Sequence, residues 1–437
     1  MTPLQPHERP ADLAGWLALL ETLHPRPIAL GLDRVRAVLG RMDVALACPV
    51  ITVTGTNGKG STTAFCDAML RAAGYRTGRY TSPHLIRYNE RVALDGVPAD
   101  DAALVEAFGV VEDARCAADP PTPLTYFEFG TLAALWLFAR ARPDAVVLEV
   151  GLGGRLDAVN VVDADVAVLT SVDIDHVEFL GPSREDIGRE KAGVFRAGRP
   201  AVCGERDPPA SVVAHAGAIG AELLLIGRDY DGIVHDRQWR YRGPGGDRHG
   251  LPIPALRGDY QIGNAATAIA ALGCLRHVLP MDAGAIRDAL VRVELAGRLQ
   301  SLPGRPAIVL DVAHNPHAAR ALAGALAAMG FFERTIAVFA MLADKDVGGV
   351  VAAMRPRVDA WEVAPLPGPR GASGETMRAH LDAAGVATDA VRVHTDVATA
   401  YAAAVARASE ADRIVVFGSF LTVAAALAMG RPASAPT

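Results

Sequence analysis

Residues 50–63 read VITVTGTNGKGSTT, and this stretch decides the fold of the first half of the chain. Its β-branched run predicts a short buried strand, and the glycine-rich turn after it opens a helix that we expect to run to about residue 73. In such a turn, backbone N–H groups and the positive end of the helix dipole face an anion. Lys59 adds a point charge, and the hydroxyl of Ser61 or Thr62 can reach a metal ion. The stretch therefore predicts a phosphate-binding loop, which we interpret as an ATP site.

The loop departs at two positions from the pattern G-x-x-x-x-G-K-[ST] that is typical of phosphate-binding loops. Val53 stands where the first glycine of that pattern belongs, and Gly60 separates Lys59 from Ser61. Taken alone, these residues are also compatible with an ordinary glycine-rich turn between a strand and a helix.

Composition favours a cytoplasmic α/β protein. The 437 residues allow two or three domains, and 51% of them are hydrophobic while 21% are charged. A net charge of -6 provides no general basic field for nucleic acid. Five scattered cysteines without a C-x-x-C pair argue against zinc and a disulfide framework and favour a reducing compartment. No apolar run approaches the roughly 20 residues that a membrane span needs.

Two further buried strands are predicted to place polar groups at one edge of a parallel sheet. Residues 145–150 form an apolar run that contains Glu149, and residues 165–170 form a second run that leads to His176. Because ligands of parallel sheets bind beyond the carboxyl ends of the strands, both side chains are candidate Mg2+ ligands. A buried structural carboxylate and a structural histidine are the alternatives. Ser82 by itself would be an ordinary turn hydroxyl.

The chain is predicted to contain two α/β domains. Residues 1–296 form the first, a parallel-sheet domain with a polar β excursion at 223–256. Residues 297–437 repeat the alternation of strands and helices and form a smaller Rossmann-like domain.

Two residues near the start of the second domain are candidate nucleotide contacts. Arg298 can reach a phosphate, and Asp311, directly after a strand, can accept a hydrogen bond from a ribose hydroxyl. Alternatively, Arg298 is one solvated arginine among many and Asp311 is a helix cap, although Asn315 can cap that helix unaided.

Several motifs together resemble the Mur ligase superfamily and, within it, the bacterial folylpolyglutamate synthases of the bifunctional dihydrofolate synthase form. Thr-Asn-Gly-Lys in the loop is distinctive of the superfamily, and the family shares the departures at Val53 and Gly60. The narrower resemblance rests on SPHL at 82–85, LTYFEF at 124–129, LEVGLGGRLD at 148–157, DH at 175–176, GREKAG at 188–193, DVAHNPH at 311–317 and GS at 418–419. These segments span nearly the whole chain in order.

The resemblance implies a fold and a set of ligands. The fold is an N-terminal P-loop, Mur-ligase-like ATPase domain with a parallel sheet, followed by the smaller Rossmann-like ligase domain. The cofactors are ATP and Mg2+, with room for a monovalent cation such as K+. The substrates are small molecules, namely dihydropteroate, reduced folates and L-glutamate, with no nucleic-acid or membrane partner. We expect a cytoplasmic monomer.

The resemblance also assigns roles to residues of this chain. The implied ATP contacts are Thr56, Asn57, Gly58, Lys59, Gly60, Ser61, Asn264, Arg298 and Asp311, and the implied Mg2+ ligands are Ser82, Glu149 and His176. The implied pteroate contacts are Gly31, Leu32, Arg87, Thr125, Phe127, Arg155, Leu156 and Asp157. Lys59, Lys191 and His176 are the implied catalytic residues, and Lys191 is implied to be an N6-carboxylysine. The sequence alone would describe Lys191 as a solvated helix lysine.

The implied reaction joins the amine of glutamate to a carboxylate, driven by ATP through an acyl phosphate. It needs no protein nucleophile, which agrees with the lack of a persuasive catalytic triad in the sequence. A peptidoglycan-precursor ligase of the same superfamily shares the loop but gives no reason for the segments at 82–85 and 124–128. A nucleotide switch protein would carry the guanine-reading [NT]-K-x-D, and ADKD at 343–346 fails that pattern at its first position.

Overall fold

The computed structural model describes residues 9–26 and 28–430. Residues 1–8, Pro27 and residues 431–437, which belong to the predicted domains, lie outside this description. The described residues form a mixed α/β protein whose strands are arranged in three sheets. No helix in this part of the chain is long and apolar enough to cross a membrane.

The chain divides into two compact units. The first extends to Pro254 and includes Ile262–Val293, whereas the second comprises Ala255–Gln261 and the chain from Glu294 onward. The segment 255–261 belongs with the second unit; there, Arg257 Nη1 donates to Ser301 Oγ at 3.2 Å. The predicted boundary at 296/297 implies that the second unit is one continuous stretch. In the structure this unit consists of two stretches.

Capping residues fix the ends of many helices in the first unit. Asp12, Asp100, Thr125, Ser183 and Asp282 each precede a helix and accept a backbone N–H of its first turn. The helix after Ser183 ends at Ala192, and Gly193 follows as its C-cap. Up to the end of the first unit, the helices are α1 Leu13–Leu20, α2 Asp33–Leu39, α3 Lys59–Ala72, α4 Asp101–Cys116, α5 Tyr126–Ala141, α6 Val177–Leu180, α7 Arg184–Ala192, α8 Ala210–Ile219, α9 Tyr260–Cys274 and α10 Ala283–Arg292.

The main sheet of the first unit is largely parallel. Its strands are β1 Val50–Thr54, β2 Thr77–Tyr80, β3 Val92–Leu94, β4 Val97–Pro98, β5 Ala145–Glu149, β6 Val166–Leu169, β7 Pro200–Cys203 and β8 Glu222–Leu225. Their order is β4-β3-β2-β5-β1-β6-β7-β8, and only β3 and β4 run antiparallel to their neighbours. Every residue of β1, β5 and β6 is buried, as expected for strands covered on both faces.

The register brings four loops to one edge of this sheet. Val53 lies opposite Glu149, Tyr80 opposite Leu148, and Thr54 opposite Leu169. The chain segments that leave β1, β2, β5 and β6 therefore start side by side. This edge carries the phosphate loop and the predicted Mg2+ ligands.

The core of the first unit fixes the helices that surround this edge. Helix α3 packs on β1, β2 and β5. On α5, Phe129 packs against Trp16 and Phe108, with ring centroids 6.2 and 5.6 Å away. Burying each such side chain stabilises the fold by about 1.5–3 kcal/mol. Both helices that begin at the site are thus anchored along their length.

The polar excursion forms a separate antiparallel sheet. It contains β9 Asp231–His235, β10 Gln238–Arg242 and β11 Arg248–Pro252, and buried Tyr230 hydrogen-bonds to Thr267 of α9 at 3.0 Å. Residues 223–225, which the prediction placed in the excursion, instead belong to β8 of the main sheet. Three consecutive leucines there pair with β7 at the sheet edge and stay only half-buried, so the polar pattern that begins further on obscured them.

The second unit contains a six-stranded sheet in the order β12-β13-β17-β14-β15-β16, in which only β12 is antiparallel. Its strands are β12 Gln300–Leu302, β13 Ala307–Leu310, β14 Thr335–Phe339, β15 Ala360–Val363, β16 Val391–Val393 and β17 Arg413–Phe417. Its helices are α11 Pro316–Ala328, α12 Val347–Met354, α13 Gly374–Ala383, α14 Val397–Arg407 and α15 Phe420–Met429. Phe339 stacks on Phe417 at 4.8 Å in its core. The predicted alternation of strands and helices in this domain is confirmed, whereas β12 was missed because its three residues are too short to show a period.

Candidate active site

The phosphate loop follows β1 and ends in α3, as predicted. Gly58 has a φ of +87° and precedes α3, which begins at Lys59. A Cβ at Gly58 would lie 2.7 Å from Oδ1 of Asn264, so only glycine fits between the loop and α9. Lys59 Nζ folds back over the loop and donates to the carbonyl oxygens of Gly55 at 3.0 Å and Thr56 at 3.4 Å. The loop thus presents a cation and a helix N-terminus at the same edge, which fits a nucleotide phosphate.

Two hydroxyl groups that the sequence analysis did not identify hold this loop in place. Thr170 Oγ1, just after β6, donates to the carbonyl of Asn57 at 2.6 Å. Ser171 Oγ accepts the N–H of Asn57 at 3.0 Å, and the carbonyl of Ser171 accepts the N–H of Thr56 at 2.8 Å. Their position after a buried parallel strand was the available signal. The loop is therefore shaped before any nucleotide arrives.

The predicted Mg2+ ligands lie at the ends of β2, β5 and the segment after β6. The backbone N–H of Ser82 donates to Glu149 Oε2 at 3.3 Å, and Glu149 is buried. His176 precedes α6 in a left-handed conformation, and its Nε2 lies 4.0 Å from Asp175 Oδ1. Among the described residues no group of three His, Cys, Asp or Glu side chains could hold a metal. A hydroxyl, a carboxylate and an imidazole suit Mg2+, which takes few protein ligands and keeps several waters.

The segment that carries His176 is joined to the phosphate loop. Thr56 Oγ1 donates to the carbonyl of Asp173 at 3.1 Å and accepts the N–H of Asp173 at 3.0 Å. A shift of the loop would therefore move the residues after β6 with it.

Lys191 is buried, and the solvated lysine suggested by the sequence alone is wrong. It lies in the last turn of α7, and only 4% of its surface is exposed. Burial and then the positive charge of Lys59 lower the pKa of Lys191 from 10.5 to about 7, against the opposing effect of Asp175 and Asp157. A large fraction of this amine is therefore uncharged near neutral pH.

The turn after β5 lies directly against the end of α7. A Cβ on Gly154 would come within 2.9 Å of the carbonyl oxygens of both Glu190 and Lys191. The side-chain amide of Asn160 donates to the carbonyls of Arg155 at 3.0 Å and Gly193 at 3.2 Å. Gly154 of the segment LEVGLGGRLD is therefore needed because two backbones meet there.

Several predicted pteroate contacts also meet at this edge. The N–H of Gly31 donates to the carbonyl of Leu156 at 3.1 Å. Thr125 caps α5, and the ring of Phe127 fills the space that a Cβ on Gly151 would need, 2.6 Å from its nearest ring atom. Asp157 accepts the N–H groups of Leu152 at 2.9 Å and Val159 at 3.0 Å.

Asp157 is a buried carboxyl group whose protonated and ionised forms are both populated near neutral pH. Burial raises the pKa of Asp157 to about 7, although these N–H groups and the charge of Lys59 lower it. This group can both accept and donate a hydrogen bond near neutral pH.

Comparison with known proteins agrees with this arrangement. Residues 53–272 match the family model of the Mur ligase middle domain, and residues 297–420 match that of the Mur ligase glutamate ligase domain. The dihydrofolate synthase/folylpolyglutamate synthase of Escherichia coli is 46% identical over 415 residues, which cover 95% of this chain and 94% of that protein. The chain belongs to the Mur ligase family.

Two solved structures of such Mur ligases are similar over nearly the whole chain. E. coli FolC in complex with DHPP and ADP has a TM-score of 0.91 at 45% identity, with 97% of this chain and 98% of that chain covered. A bifunctional folylpolyglutamate synthase/dihydrofolate synthase with Mn, AMPPNP and L-glutamate bound has a TM-score of 0.88 at 45% identity, with 97% and 99% covered.

Two cationic residues of this Mur ligase that were predicted to contact pteroate form ion pairs within the protein. Arg87 Nη2 lies 3.0 Å from Asp101 Oδ1, and two-thirds of its side chain is exposed. Arg155 donates to Glu190 Oε1 from Nε at 3.0 Å and from Nη2 at 2.7 Å. The sequence gives no indication of either pair, because the partners are 14 and 35 residues away.

In the glutamate ligase domain of this Mur ligase, Arg298 and Asp311 make local contacts, and the charge of Arg298 opposes the rise in the pKa of Asp311 that burial causes. The guanidinium of Arg298 lies 5.1 Å from the ring centroid of Phe420. Asp311 accepts the N–H groups of Leu299 and Ala313, both at 2.8 Å, and burial raises its pKa. Asn315 caps α11, so the alternative that Asp311 is the helix cap is wrong.

Proposed function

We propose that this Mur ligase adds L-glutamate to dihydropteroate and to reduced folates, with conversion of ATP to ADP and phosphate. The observation that carries the proposal is the shared edge of the main sheet. There the phosphate loop, Glu149 and the buried Lys191 stand beside the segments around Gly31, Phe127 and Leu156. Such an edge can bring a nucleotide phosphate to the carboxylate of a pterin-bearing acid. The relatives named dihydrofolate synthase/folylpolyglutamate synthase support the same activity.

The chemistry proceeds in two steps. A carboxylate is a poor electrophile, so one of its oxygens first accepts the γ-phosphoryl group of ATP, and ADP leaves. The amino nitrogen of glutamate then attacks the acyl carbon, a C–N bond forms, and the C–O bond to phosphate breaks as the amine loses a proton. Lys59 and the N–H groups at the start of α3 stabilise the negative charge that develops during phosphoryl transfer.

The remaining assignments of the proposal concern metal, substrate and domain roles. Ser82, Glu149 and His176 would hold Mg2+, which when bound supplies charge that offsets the phosphates. Asn264, beside Gly58, is a candidate nucleotide contact, as are Arg298 and Asp311 of the second unit. The proposed pteroate contacts are Gly31, Leu32, Arg87, Thr125, Phe127, Arg155, Leu156 and Asp157. A role for K+, a monomeric state, a cytoplasmic location and the domain roles of 1–296 and 297–437 stay predictions.

The proposal for Lys191 is a carbamate formed with CO2. An uncharged amine is the form that attacks CO2. Burial of Lys191 and the positive charge of Lys59 both favour that form. The product is an anion, so it relieves the repulsion between two lysines in a buried site.

One assay tests the proposed activity. ADP formation is measured with dihydropteroate and with a reduced folate, each with and without L-glutamate, and the products are weighed by mass spectrometry. We expect ADP and a product heavier by one glutamyl residue only when both substrates are present. Slow ADP release that ignores both substrates would instead indicate a nucleotide switch, and activity only on already glutamylated folates would remove the dihydrofolate synthase function.

Replacing Glu149 by glutamine should raise the Mg2+ concentration that gives half-maximal activity by about tenfold or more. The amide keeps the size of the side chain and can still accept the N–H of Ser82, but it carries no charge for the metal. Titration of activity with Mg2+ measures the effect, and Asp144→Asn, just before the start of β5, is the matched control. An unchanged titration would return Glu149 to a structural role.

A further inference from the structure

A partly buried ion pair joins two of the segments that the proposed function assigns to pteroate. Arg34 lies in the first turn of α2, two residues after Leu32. Its Nη2 donates to Glu128 Oε1 at 2.7 Å, and its Nε lies 3.4 Å from Glu128 Oε2. The side chain of Glu128 is 4% exposed and that of Arg34 28% exposed.

Each partner of this pair also holds the backbone of its own segment. Arg34 Nη2 donates to the carbonyl of Ala29 at 2.7 Å, which closes the loop that contains Gly31. Glu128 Oε2 accepts the N–H of Thr125 at 2.8 Å, and Thr125 Oγ1 accepts the N–H of Glu128 at 3.2 Å. This capping box fixes the first turn of α5, which carries Phe127.

Among the described residues, the loop before α2 makes few hydrogen bonds besides those of Arg34, although Leu32 is buried and α2 packs against α4 and α5. Leu32, the residue that precedes α2, makes no side-chain capping bond, and α2 has only seven residues. In the described part of this loop, one backbone hydrogen bond besides those of Arg34 ties it to the rest of the edge, from the N–H of Gly31 to the carbonyl of Leu156. Without the guanidinium, the loop would lose its hydrogen-bonded link to Glu128, and its distance from Phe127 would no longer be fixed by that link.

We propose that Arg34 is a positioning residue for the acceptor substrate, acting through Glu128 on the spacing between the Gly31 loop and the start of α5. The pair holds both segments without contacting the phosphate loop, so it sets affinity for the pterin-bearing acid and leaves ATP binding alone. This inference rests on the proposed function, and in particular on the assignment of these segments to pteroate.

The experiment compares Arg34→Met with Glu128→Gln. Methionine keeps much of the apolar stem of Arg34 and removes the fork of donors. Glutamine keeps an oxygen for the capping box of α5 and removes the charge. The KM for dihydropteroate, the KM for ATP, kcat and the thermal midpoint are measured for each variant and for the double variant.

We expect the KM for dihydropteroate to rise by about tenfold in Arg34→Met, because a displaced binding segment is costly even when the contacts survive. The KM for ATP should stay within about twofold, and the double variant should be no worse than the more affected single variant, since both remove one shared interaction. Arg34→Lys should recover part of the loss, because a point charge reaches Glu128 but cannot also hold Ala29.

The control is Arg140→Met, which removes an ion pair with Glu106 near the other end of α5. It should leave the KM for dihydropteroate unchanged. Phe127→Ala serves as the reference for the substrate segments themselves.

Three results would overturn the inference. If Phe127→Ala raises the KM for dihydropteroate and Arg34→Met and Glu128→Gln do not, the pteroate assignment stands and the positioning role fails. If the variants lower the thermal midpoint, or raise both KM values equally, the pair is only structural. If none of the three variants changes the KM in an active enzyme, the pteroate assignment itself fails and takes the inference with it.

Discussion

Replacing Lys59 by methionine should lower kcat for ADP formation by about a hundredfold to a thousandfold or more, with the fold intact. The side chain folds over the phosphate loop, with Nζ 3.0 Å from the carbonyl of Gly55, and so places its charge where phosphoryl transfer needs it. Removing that charge withdraws stabilisation from the transition state, while the loop stays pinned by Thr170 and Ser171. Single-turnover kinetics in saturating ATP separates this loss from weaker binding.

Two controls accompany the measurement on Lys59. Lys59→Arg keeps a charge but spreads it over a planar fork, so it should recover only part of the rate. Thermal unfolding of Lys59→Met should match that of the unaltered protein, since methionine is also a good helix former. A rate close to that of the unaltered protein in Lys59→Met would remove the ATP site from the loop.

Lys191 should carry a carboxyl group derived from CO2, and Lys191→Ala should lower kcat by about a hundredfold. The uncharged amine attacks the carbon of CO2, a C–N bond forms, one electron pair moves to oxygen, and a proton leaves the nitrogen. Because the pKa of Lys191 is lowered to about 7, the reactive amine is scarce at pH 6 and abundant at pH 8. Uptake of CO2 should therefore increase with pH across this range.

Carbon-13 NMR with labelled bicarbonate at mildly alkaline pH detects the carbamate, which acidic mass spectrometry would destroy. The signal should be present in the unaltered protein and absent from Lys191→Ala. The carbamate signal should persist in the control variant Lys345→Ala, which removes a lysine of the second unit. Lys191→Arg, which cannot form a carbamate, should be no more active than Lys191→Ala. Active enzyme without any carbamate signal would leave Lys191 an uncarboxylated buried amine.

The sequence predicted the parts of the site that depend on local pattern. The strand, turn and helix of residues 50–63 follow from a β-branched run, glycines with positive φ and a helix start, all within one short segment. Glu149 became a candidate because it is the one acid in an apolar run whose carboxyl end lies at the ligand-binding edge of a parallel sheet, and its Mg2+ role stays a prediction. Such features need no knowledge of distant contacts.

The parts that the sequence did not predict depend on contacts between distant segments. Thr170 and Ser171 support the loop from more than 110 residues away, and Arg87 and Arg155 are held by partners that no pattern connects to them. Lys191 is buried at the end of α7, which lies against the turn at Gly154, and only the fold reveals that contact.

The sequence contains one compositional signal for Lys191 that the sequence analysis did not use. Of the 43 basic residues, only Lys59, Lys191 and Lys345 are lysines, and two of these three lie at the site. Arginine serves elsewhere in the chain. Lysine provides a compact charge for a phosphate, whereas the charge of arginine is spread over a planar group. Lysine can also lose its proton, whereas arginine stays charged.

Oxygen labelling tests most directly whether the acceptor carboxylate is phosphorylated before glutamate is added. Dihydropteroate labelled with oxygen-18 in both carboxylate oxygens is incubated with ATP, Mg2+ and L-glutamate, and the released phosphate is analysed. Transfer of the γ-phosphoryl group to a carboxylate oxygen, followed by loss of phosphate, predicts one labelled oxygen in each phosphate for each glutamate added. Phosphate without label, released together with the glutamylated product, would contradict the acyl-phosphate route.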